Sequence, residues 1–191
     1  MKHFVVILFV FFGFVSKGQI APLPMVNLNY VAAIPDAPIG FSFMIIPVES
    51  RYSFYCDLKF GPSFTKGEDY TGTISIKEAE SAFNDTYLGE KNGGTVVFDL
   101  GIGFAIIENK RLNTYLALGF KSRNYYKQYY DATKILSPSG YYHIKIPSKS
   151  FNSPNITFGI IGNPCEKLTL QLGYDFNGFY NSINAGIGFI I

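Results

Sequence analysis

Alternation of apolar and polar side chains is the dominant pattern of the chain from residue 25 onward. Between Val96 and Ile107, for example, apolar residues occupy every second position, and the residues between them are mostly small or polar. Successive side chains of a β-strand point to opposite faces, so each such segment has one apolar face. The pattern predicts eight strands, at about 25–33, 39–46, 52–61, 95–107, 112–122, 154–162, 168–176 and 182–191. Residues 76–83 have the only helical pattern and lie inside a predicted loop.

A short repeat groups these strands into four hairpins. A phenylalanine followed shortly by two isoleucines ends the second, fourth, sixth and eighth strands, at Phe43–Ile46, Phe104–Ile107, Phe158–Ile161 and Phe189–Ile191. Brief polar turns follow the first three of these motifs, whereas the two long connections, 62–94 and 123–153, lie at the opposite end. Short turns at one end and long loops at the other are typical of transmembrane β-barrels.

The composition of the two faces predicts which one points outward. The apolar face carries no charge and consists mainly of Phe, Leu and Ile, which would overfill the narrow interior of an eight-stranded barrel. The other face is rich in glycine, which a water-facing strand would not favour but which makes room in a narrow lumen. A sheet with a lipid-facing side must also close on itself. We therefore predict an all-β fold, an eight-stranded antiparallel up-and-down transmembrane β-barrel.

The first residues have the pattern of an export signal. Lys2 and His3 precede the apolar segment Phe4–Val15, and Ser16 and Gly18 suit a cleavage site. We predict a signal peptide at 1–18 and an outer-membrane barrel domain at 19–191. Removing Lys2 and Lys17 would take the formal charge from +2 to 0, which gives no reason to expect a nucleic-acid partner.

The signal peptide, four hairpins, lipid-type face and terminal strand together resemble the small outer-membrane β-barrel family, the OmpA/OmpX-like proteins. The resemblance covers nearly the whole mature chain and is one of pattern. It implies a location in the Gram-negative cell outer membrane, with the lipid bilayer and lipopolysaccharide as surroundings. It also implies insertion by the barrel-assembly machinery, which in that family reads a last strand that usually ends on an aromatic residue. Here the last aromatic residue is Phe189, and the chain ends at Ile191.

Few charges fall on the predicted lumen face. They are Asp57, Lys59, Asp99, Lys121 and Asp175. Lys59, Asp99 and Lys121 lie at similar heights above the short turns, and buried charges normally exist as partners. We therefore predict a Lys59–Asp99–Lys121 salt-bridge cluster that blocks the lumen, with Asp57 and Asp175 as further candidates. The alternative is that strand stagger separates these charges and water solvates each one.

The two long loops have opposite charge. Residues 62–94 are mainly acidic, whereas 123–153 are basic and rich in tyrosine. One interpretation is an aromatic girdle with strands that extend above the membrane, to which the alternation of Tyr141–Pro147 would belong. The other is a surface that binds an anionic glycan, a lipopolysaccharide phosphate or a protein. The candidate recognition residues are Tyr125, Tyr126, Lys127, Tyr129, Tyr130, Tyr141, Tyr142, His143 and Lys145.

Catalytic motifs are scarce. His143 is the one histidine left after signal removal, and Ser137, Ser139 and Asp131 near it do not by themselves define a catalytic arrangement. We expect no enzyme activity, no cofactor and no metal. The leading prediction is a non-enzymatic integral outer-membrane barrel with a structural or surface-recognition role. A second is an OmpW-like carrier or narrow channel for small apolar molecules, with a lumen constriction at Ile46, Ile107, Ile161 and Ile190. A third is a secreted, soluble, lipocalin-like barrel.

Overall fold

β-Strands make up most of the computed structural model, which describes residues 25–35, 37–61, 74–81, 85–107 and 110–191. The predicted signal peptide lies outside these residues. The elements are β1 (Met25–Ile34), β2 (Ile39–Ile46), β3 (Tyr52–Phe60), α1 (Ile76–Ser81), β4 (Asp85–Ala105), β5 (Leu112–Asp131), β6 (Tyr141–Lys145), β7 (Phe151–Gly162), β8 (Leu168–Phe176) and β9 (Ser182–Ile190). Among the described residues, no helix has the length and apolar character needed to cross a membrane.

Eight of the strands form a closed ring. Each strand from β1 to β5 pairs antiparallel with the next, β5 pairs with β7, and β7, β8 and β9 follow in order. The ring closes where β9 pairs with β1, from Asn27 opposite Ile190 to Ile34 opposite Ile183. The predicted eight-stranded antiparallel up-and-down barrel is confirmed, and β6 is an additional strand outside the ring.

The apolar faces of the strands point outward, as predicted. Leu118 is 64% exposed and Leu170 is 46% exposed, whereas Asn29, Asp99 and Thr157 are fully buried inside the ring. A soluble barrel has the reverse arrangement, so this finding argues against the lipocalin-like alternative. The arrangement is that of a transmembrane barrel, in which hydrocarbon covers the outer face.

The predicted bounds of the fourth and fifth strands were too short. β4 begins at Asp85 rather than at residue 95, and β5 continues to Asp131 rather than to residue 122. The two strands pair along the whole length of β4, and the register shifts at Tyr87/Gly89 and at Asn92/Gly94. Above a lipid layer a strand does not need to alternate apolar and polar residues strictly. The added parts of β4 and β5 therefore lack the alternation from which the lower parts of the strands were predicted.

A small sheet therefore stands above the barrel. The upper half of β5 pairs with β6, from Tyr126 opposite Lys145 to Tyr130 opposite Tyr141, and with the upper half of β4. We call the part formed by 85–92, 126–131 and 141–145 the upper sheet. The predicted strand character at Tyr141–Pro147 and the predicted helix at 76–83 are both present, as β6 and α1. Ser75 and Glu78 form a capping box at the start of α1.

The short-turn end of the lumen is filled by apolar side chains. Its core consists of Met44, Ile46, Tyr55, Tyr115, Ala117 and Ile161, with Met25 packed against it. Ile46 and Ile161 lie inside as predicted, and Ile190 is partly buried. Ile107 was predicted inside but is 42% exposed, because β4 ends at Ala105 and the residue lies in the turn.

Candidate functional site

Lys59 lies among three buried carboxylates in the middle of the lumen. Its Nζ donates to Asp57 Oδ2 at 2.8 Å and to Asp175 Oδ1 at 3.0 Å. Asp99 Oδ2 lies 3.8 Å from the same nitrogen. All four side chains are essentially excluded from solvent. We call Asp57, Lys59, Asp99 and Asp175 the charged layer.

Strand geometry brings these four residues together from opposite walls. Asp57 and Lys59 share the inner face of β3, and Asp57 is directly opposite Asp99 on β4. Asp175 lies on β8, four positions away around the ring. The Lys59 stem crosses above Gly40, where a Cβ would lie only 2.6 Å from Lys59 Cγ. A glycine on β2 thus allows a lysine of β3 to reach the far wall.

Neutral donors complete the hydrogen bonding of the carboxylates. Asn155 Nδ2 donates to both oxygens of Asp99, at 3.0 and 2.9 Å. Thr157 Oγ1 lies 2.7 Å from Asp99 Oδ2 and 2.6 Å from Asp175 Oδ1, so its single hydrogen can be donated to either carboxylate. Asn184 Nδ2 donates to Asp175 Oδ1 at 2.6 Å. Together these bonds link β3, β4, β7, β8 and β9 across the lumen.

A tyrosine pair connects the charged layer to the apolar end. The rings of Tyr55 and Tyr115 stack at a centroid distance of 4.0 Å. Gln171 Nε2 donates to the Tyr55 hydroxyl at 2.8 Å and to the Tyr115 hydroxyl at 3.0 Å, and the Tyr55 hydroxyl donates to Asp57 Oδ2 at 2.8 Å. Packed, hydrogen-bonded side chains therefore fill the lumen from its apolar end to the charged layer.

Sequence reasoning missed Tyr55, Tyr115 and Gln171. The available signal was the position of both tyrosines in the lumen phase of their strands, alongside an unusual number of glycines in the same phase. The Tyr115 hydroxyl occupies the space above Gly159 and Gly173, at 2.7 Å from the place of a Cβ on Gly159. Which glycine receives which tyrosine depends on strand register, which the sequence does not state.

Lys121 lies further toward the long-loop end than the charged layer. Asp99 is opposite Gly119, and Lys121 is opposite Val97, one lumen-facing position higher. The Lys121 Nζ donates to Ser182 Oγ at 3.2 Å and to the Tyr180 carbonyl oxygen at 3.5 Å. The structure thus joins Lys59 and Asp99 with Asp57 and Asp175, and directs Lys121 toward the turn between β8 and β9.

The upper sheet has an apolar core of its own. Ala79, Tyr129, Tyr142 and Ile144 are buried together, and Ile74, Ile76 and Leu136 pack against them. The rings of Tyr129 and Tyr142 stack at 5.3 Å, and the Tyr142 hydroxyl donates to Asp85 Oδ2 at 2.5 Å. Tyr129 and Tyr142, two of the predicted recognition residues, are therefore core residues.

The acidic and basic loop segments pair with each other. Lys127 Nζ donates to Glu80 Oε1 at 2.6 Å, and Lys149 forms an ion pair with Glu90. The hydrogen bond to Glu80 raises the pKa of Lys127. Two ion pairs thus join the acidic segment to the basic one at the protein surface.

The other predicted recognition residues differ in burial. His143 lies opposite Gln128, on the same face as Tyr141 and Lys145, and is fully buried. Tyr125 lies under the side chains of Arg123 and Lys149. Tyr126, Tyr130, Tyr141 and Lys145 share one face, since Tyr126 is opposite Lys145 and Tyr130 is opposite Tyr141. Tyr141 is 42% exposed, Lys145 is exposed, and the other two are partly buried. We call these four residues the outer tyrosine face.

Comparison with known proteins identifies the fold. No family model matches the chain, and no curated protein matches it. Among solved structures, Ail, the attachment invasion locus protein of Yersinia pestis, superposes with a TM-score of 0.52 at 9% sequence identity, covering 88% of this chain and 96% of Ail. Ail in complex with the heparin analogue sucrose octasulfate gives a TM-score of 0.50 at the same identity and coverage. The chain has the fold of a small outer-membrane β-barrel.

A third solved structure superposes less well. The N-terminal β-barrel domain of Pseudomonas aeruginosa OprF gives a TM-score of 0.43 at 11% identity, covering 88% of this chain and 96% of that domain.

The Asp131 carboxylate accepts several hydrogen bonds from the turn before β6. Its Oδ1 accepts from the hydroxyl and the backbone N–H of Thr133, and its Oδ2 accepts from the backbone N–H groups of Ile135 and Leu136. The hydroxyl of Thr133, together with these N–H groups, lowers the pKa of Asp131 to about 2. The hydroxyls of Ser137 and Ser139 are 2.9 Å apart. Asp131 thus serves to fix the turn.

Proposed function

We propose that the protein is a non-enzymatic, integral outer-membrane barrel of a Gram-negative cell, closed along its lumen, that acts at the surface through its upper sheet. The observation that carries this proposal is the outward face of β5. It bears Leu116, Leu118 and Phe120 in succession and then changes to Ser122 and Asn124. An apolar band that ends in polar residues matches the boundary between hydrocarbon and head groups.

The outer tyrosine face lies above that boundary on the same side of the sheet. Tyr126 follows Phe120 by six residues on β5, which corresponds to about 20 Å of strand. At this height an outward side chain would meet the saccharides and phosphates of lipopolysaccharide. Tyrosine rings offer rigid contact area to sugars, and the Lys145 ammonium suits a phosphate. We therefore propose lipopolysaccharide as the partner of this face.

Other roles fit the structure less well. A carrier that releases molecules sideways needs a gap between strands and an open interior, but the ring of strand pairs is closed and the tyrosine pair and charged layer fill the lumen. Aqueous channels of the porin type need about 16–18 strands. A hydrolase needs a carboxylate to orient its base, and Asp131 is engaged by the turn that it fixes.

Location and closure can be tested together. The full chain, expressed in a Gram-negative host, is expected in the outer-membrane fraction and to change mobility in SDS gels only after boiling. Mass spectrometry of the purified protein is expected to show a chain that begins at Gln19, after removal of the signal peptide. In planar bilayers the protein should give no steady conductance. Release into the medium without detergent, or stable ohmic steps, would contradict the proposal.

The lipopolysaccharide contact can be tested by substitution on the outer tyrosine face. The double variant Tyr141→Ser/Lys145→Gln is compared with wild type in nanodiscs of lipopolysaccharide and of phosphatidylglycerol, which controls for negative charge. Wild type should unfold more slowly in lipopolysaccharide than in phosphatidylglycerol. The ratio of the unfolding rates in the two lipids should be about tenfold smaller for the double variant than for wild type, which corresponds to roughly 1.4 kcal/mol.

Lys134→Gln is the matched control, because Lys134 lies in the exposed turn before β6 rather than on the outer tyrosine face. If the double variant and this control keep the same preference for lipopolysaccharide, the face does not bind it. Ail was solved with the heparin analogue sucrose octasulfate. The same sulfated sugar, added as a soluble competitor, tests whether an anionic saccharide other than lipopolysaccharide occupies the face.

A further inference from the structure

A row of three tyrosine rings crosses the upper sheet on the side that packs against α1. Tyr87 of β4 is directly opposite Tyr129 of β5, and Tyr129 is directly opposite Tyr142 of β6. The ring centroids are 5.6 Å apart in the first pair and 5.3 Å apart in the second. Tyr129 and Tyr142 are buried, whereas Tyr87 is 52% exposed. The row therefore ends in an exposed ring that packs against a buried one.

β4 has an irregularity immediately after this exposed ring. The register with β5 shifts between Tyr87 and Gly89, and Gly89 has a φ of +121°, a conformation that favours glycine. An extra residue in one strand of a pair bends that strand and changes the direction of the neighbouring side chains. The backbone at residues 87–89 therefore sets the direction of the Tyr87 side chain, and Tyr129 packs against its ring.

An accessible ion pair lies beside the Tyr87 ring. Lys127 Nζ is 5.7 Å from the Tyr87 ring centroid and donates to Glu80 Oε1 of α1 at 2.6 Å. The Glu80 side chain is 52% exposed and the Lys127 side chain is 24% exposed. A carboxylate accepts hydrogen bonds and an ammonium donates them, so the pair offers both kinds of group at one place. Because the two charges cancel, the pair favours a ligand with hydroxyl groups and no net charge.

We propose that Tyr87, Glu80 and Lys127 form a binding site for a neutral saccharide. We call it the saccharide site. A pyranose has an apolar face of C–H groups and hydroxyl groups around its edge. The apolar face packs on the Tyr87 ring, and the hydroxyls donate to the Glu80 carboxylate and accept from the Lys127 ammonium. The ring and the ion pair are already in place without a ligand, which reduces the entropy lost on binding.

The saccharide site is separate from the outer tyrosine face. Tyr129, which packs against Tyr87, and Tyr130 of the outer tyrosine face are neighbours on β5. Neighbouring side chains of a strand point to opposite faces, so the two sites lie on opposite sides of the upper sheet. The inference rests on the proposed function only for access to glycans outside the cell. The saccharide can come from the cell's own envelope or from the surface of another cell.

A fluorescent reporter tests the site directly. The chain contains no tryptophan, so Tyr87→Trp introduces a single reporter and keeps an aromatic ring at the site. The barrel, folded in detergent micelles free of lipopolysaccharide, is titrated with the methyl glycosides of glucose, galactose and N-acetylglucosamine, and with open-chain sorbitol. At least one glycoside should change the emission in a saturable way, and sorbitol should not. Phe179→Trp, at a 73% exposed position in the turn between β8 and β9, is the matched control and should not respond.

Substitutions measured without a reporter assign the binding to the three residues. Saturation-transfer NMR gives the Kd of the glycoside that binds best. Tyr87→Ala should raise this Kd about tenfold, the effect expected when a central aromatic contact is truncated, whereas Tyr87→Phe should keep it close to the wild-type value. Glu80→Gln keeps the length of the side chain but removes the carboxylate, and it should also raise the Kd. Phe179→Ala should leave it unchanged.

The source of the saccharide is assigned with two oligosaccharides that carry no phosphate. Tighter binding of the dephosphorylated core oligosaccharide of lipopolysaccharide indicates the cell's own envelope, and tighter binding of N-acetyllactosamine indicates another cell. The proposal is overturned if no glycoside binds, if sorbitol acts like the glycosides, or if Tyr87→Ala binds as well as Phe179→Ala. Failure of the lipopolysaccharide contact would instead appear only in the variants of Tyr141 and Lys145.

Discussion

Replacing Lys59 by methionine should lower the free energy of unfolding by about 3–5 kcal/mol, because it leaves a buried carboxylate cluster without its cation. The Lys59 ammonium is within 3.8 Å of the carboxylates of Asp57, Asp99 and Asp175. Methionine keeps much of the length and the apolar stem, so loss of charge is the main change. Urea unfolding in phospholipid vesicles, followed by the SDS-gel mobility shift, measures the effect.

Two further variants make this result specific to the charged layer. Asp57→Asn and Asp175→Asn, added to Lys59→Met, remove two of the uncompensated charges and should restore most of the lost stability. Lys167→Met, at an exposed position, should change the unfolding free energy by no more than about 0.5 kcal/mol. A Lys59→Met barrel as stable as the Lys167→Met control would show that Lys59 does not hold the carboxylates.

Replacing Gly119 by alanine should prevent correct pairing of β4 and β5 at the centre of the barrel. A Cβ at residue 119 would overlap the carbonyl oxygen of Phe98 and Oδ1 of Asp99, and would lie 2.6 Å from Asp99 Cα. Backbone atoms cannot move aside as a flexible side chain can. We expect a loss of more than about 3 kcal/mol, at the upper end of overpacking costs. The yield of heat-modifiable barrel and its urea midpoint report the loss.

Gly162→Ala is the matched control for this substitution. Gly162 also lies in a strand of the barrel, at the end of β7, but a Cβ there would meet only Leu112 Cδ1, at 3.9 Å. The same added methyl group should therefore be tolerated, with a change within about 0.5 kcal/mol. Equal yields and midpoints for the two variants would mean that the lumen has more room beside Asp99 than the structure shows.

The upper sheet explains why the charge of the loops is a poor guide to a ligand. Of the nine predicted recognition residues, Tyr129 and Tyr142 are core residues, and Lys127 pairs with an acidic residue of the other segment. The residues that remain for surface contact lie on the outer tyrosine face. A recognition role therefore rests on that face rather than on the overall charge of residues 123–153.

The number and orientation of the strands could be predicted because their causes are local or general. Side chains alternate along any strand, and a hydrocarbon surface tolerates neither charges nor unpaired backbone groups. The apolar residues around Leu118 and the glycines around Gly101 therefore had only one consistent placement, and the structure has it. The polar segments above the membrane lack this constraint, so the extension of β4 and β5 could not be predicted from alternation.

The sequence alone determined an eight-stranded barrel with its apolar face outward and its few charges inside. Only the tertiary structure decided which lumen side chains meet. Counting residues from the short turns gave heights along single strands, and it grouped Lys121 with Lys59 and Asp99. In the closed ring, strand stagger raises Lys121 above Asp99 and brings Asp175 across from the opposite wall to Lys59. Stagger is a property of the closed set of strand pairs, so no single strand carries the information that fixes it.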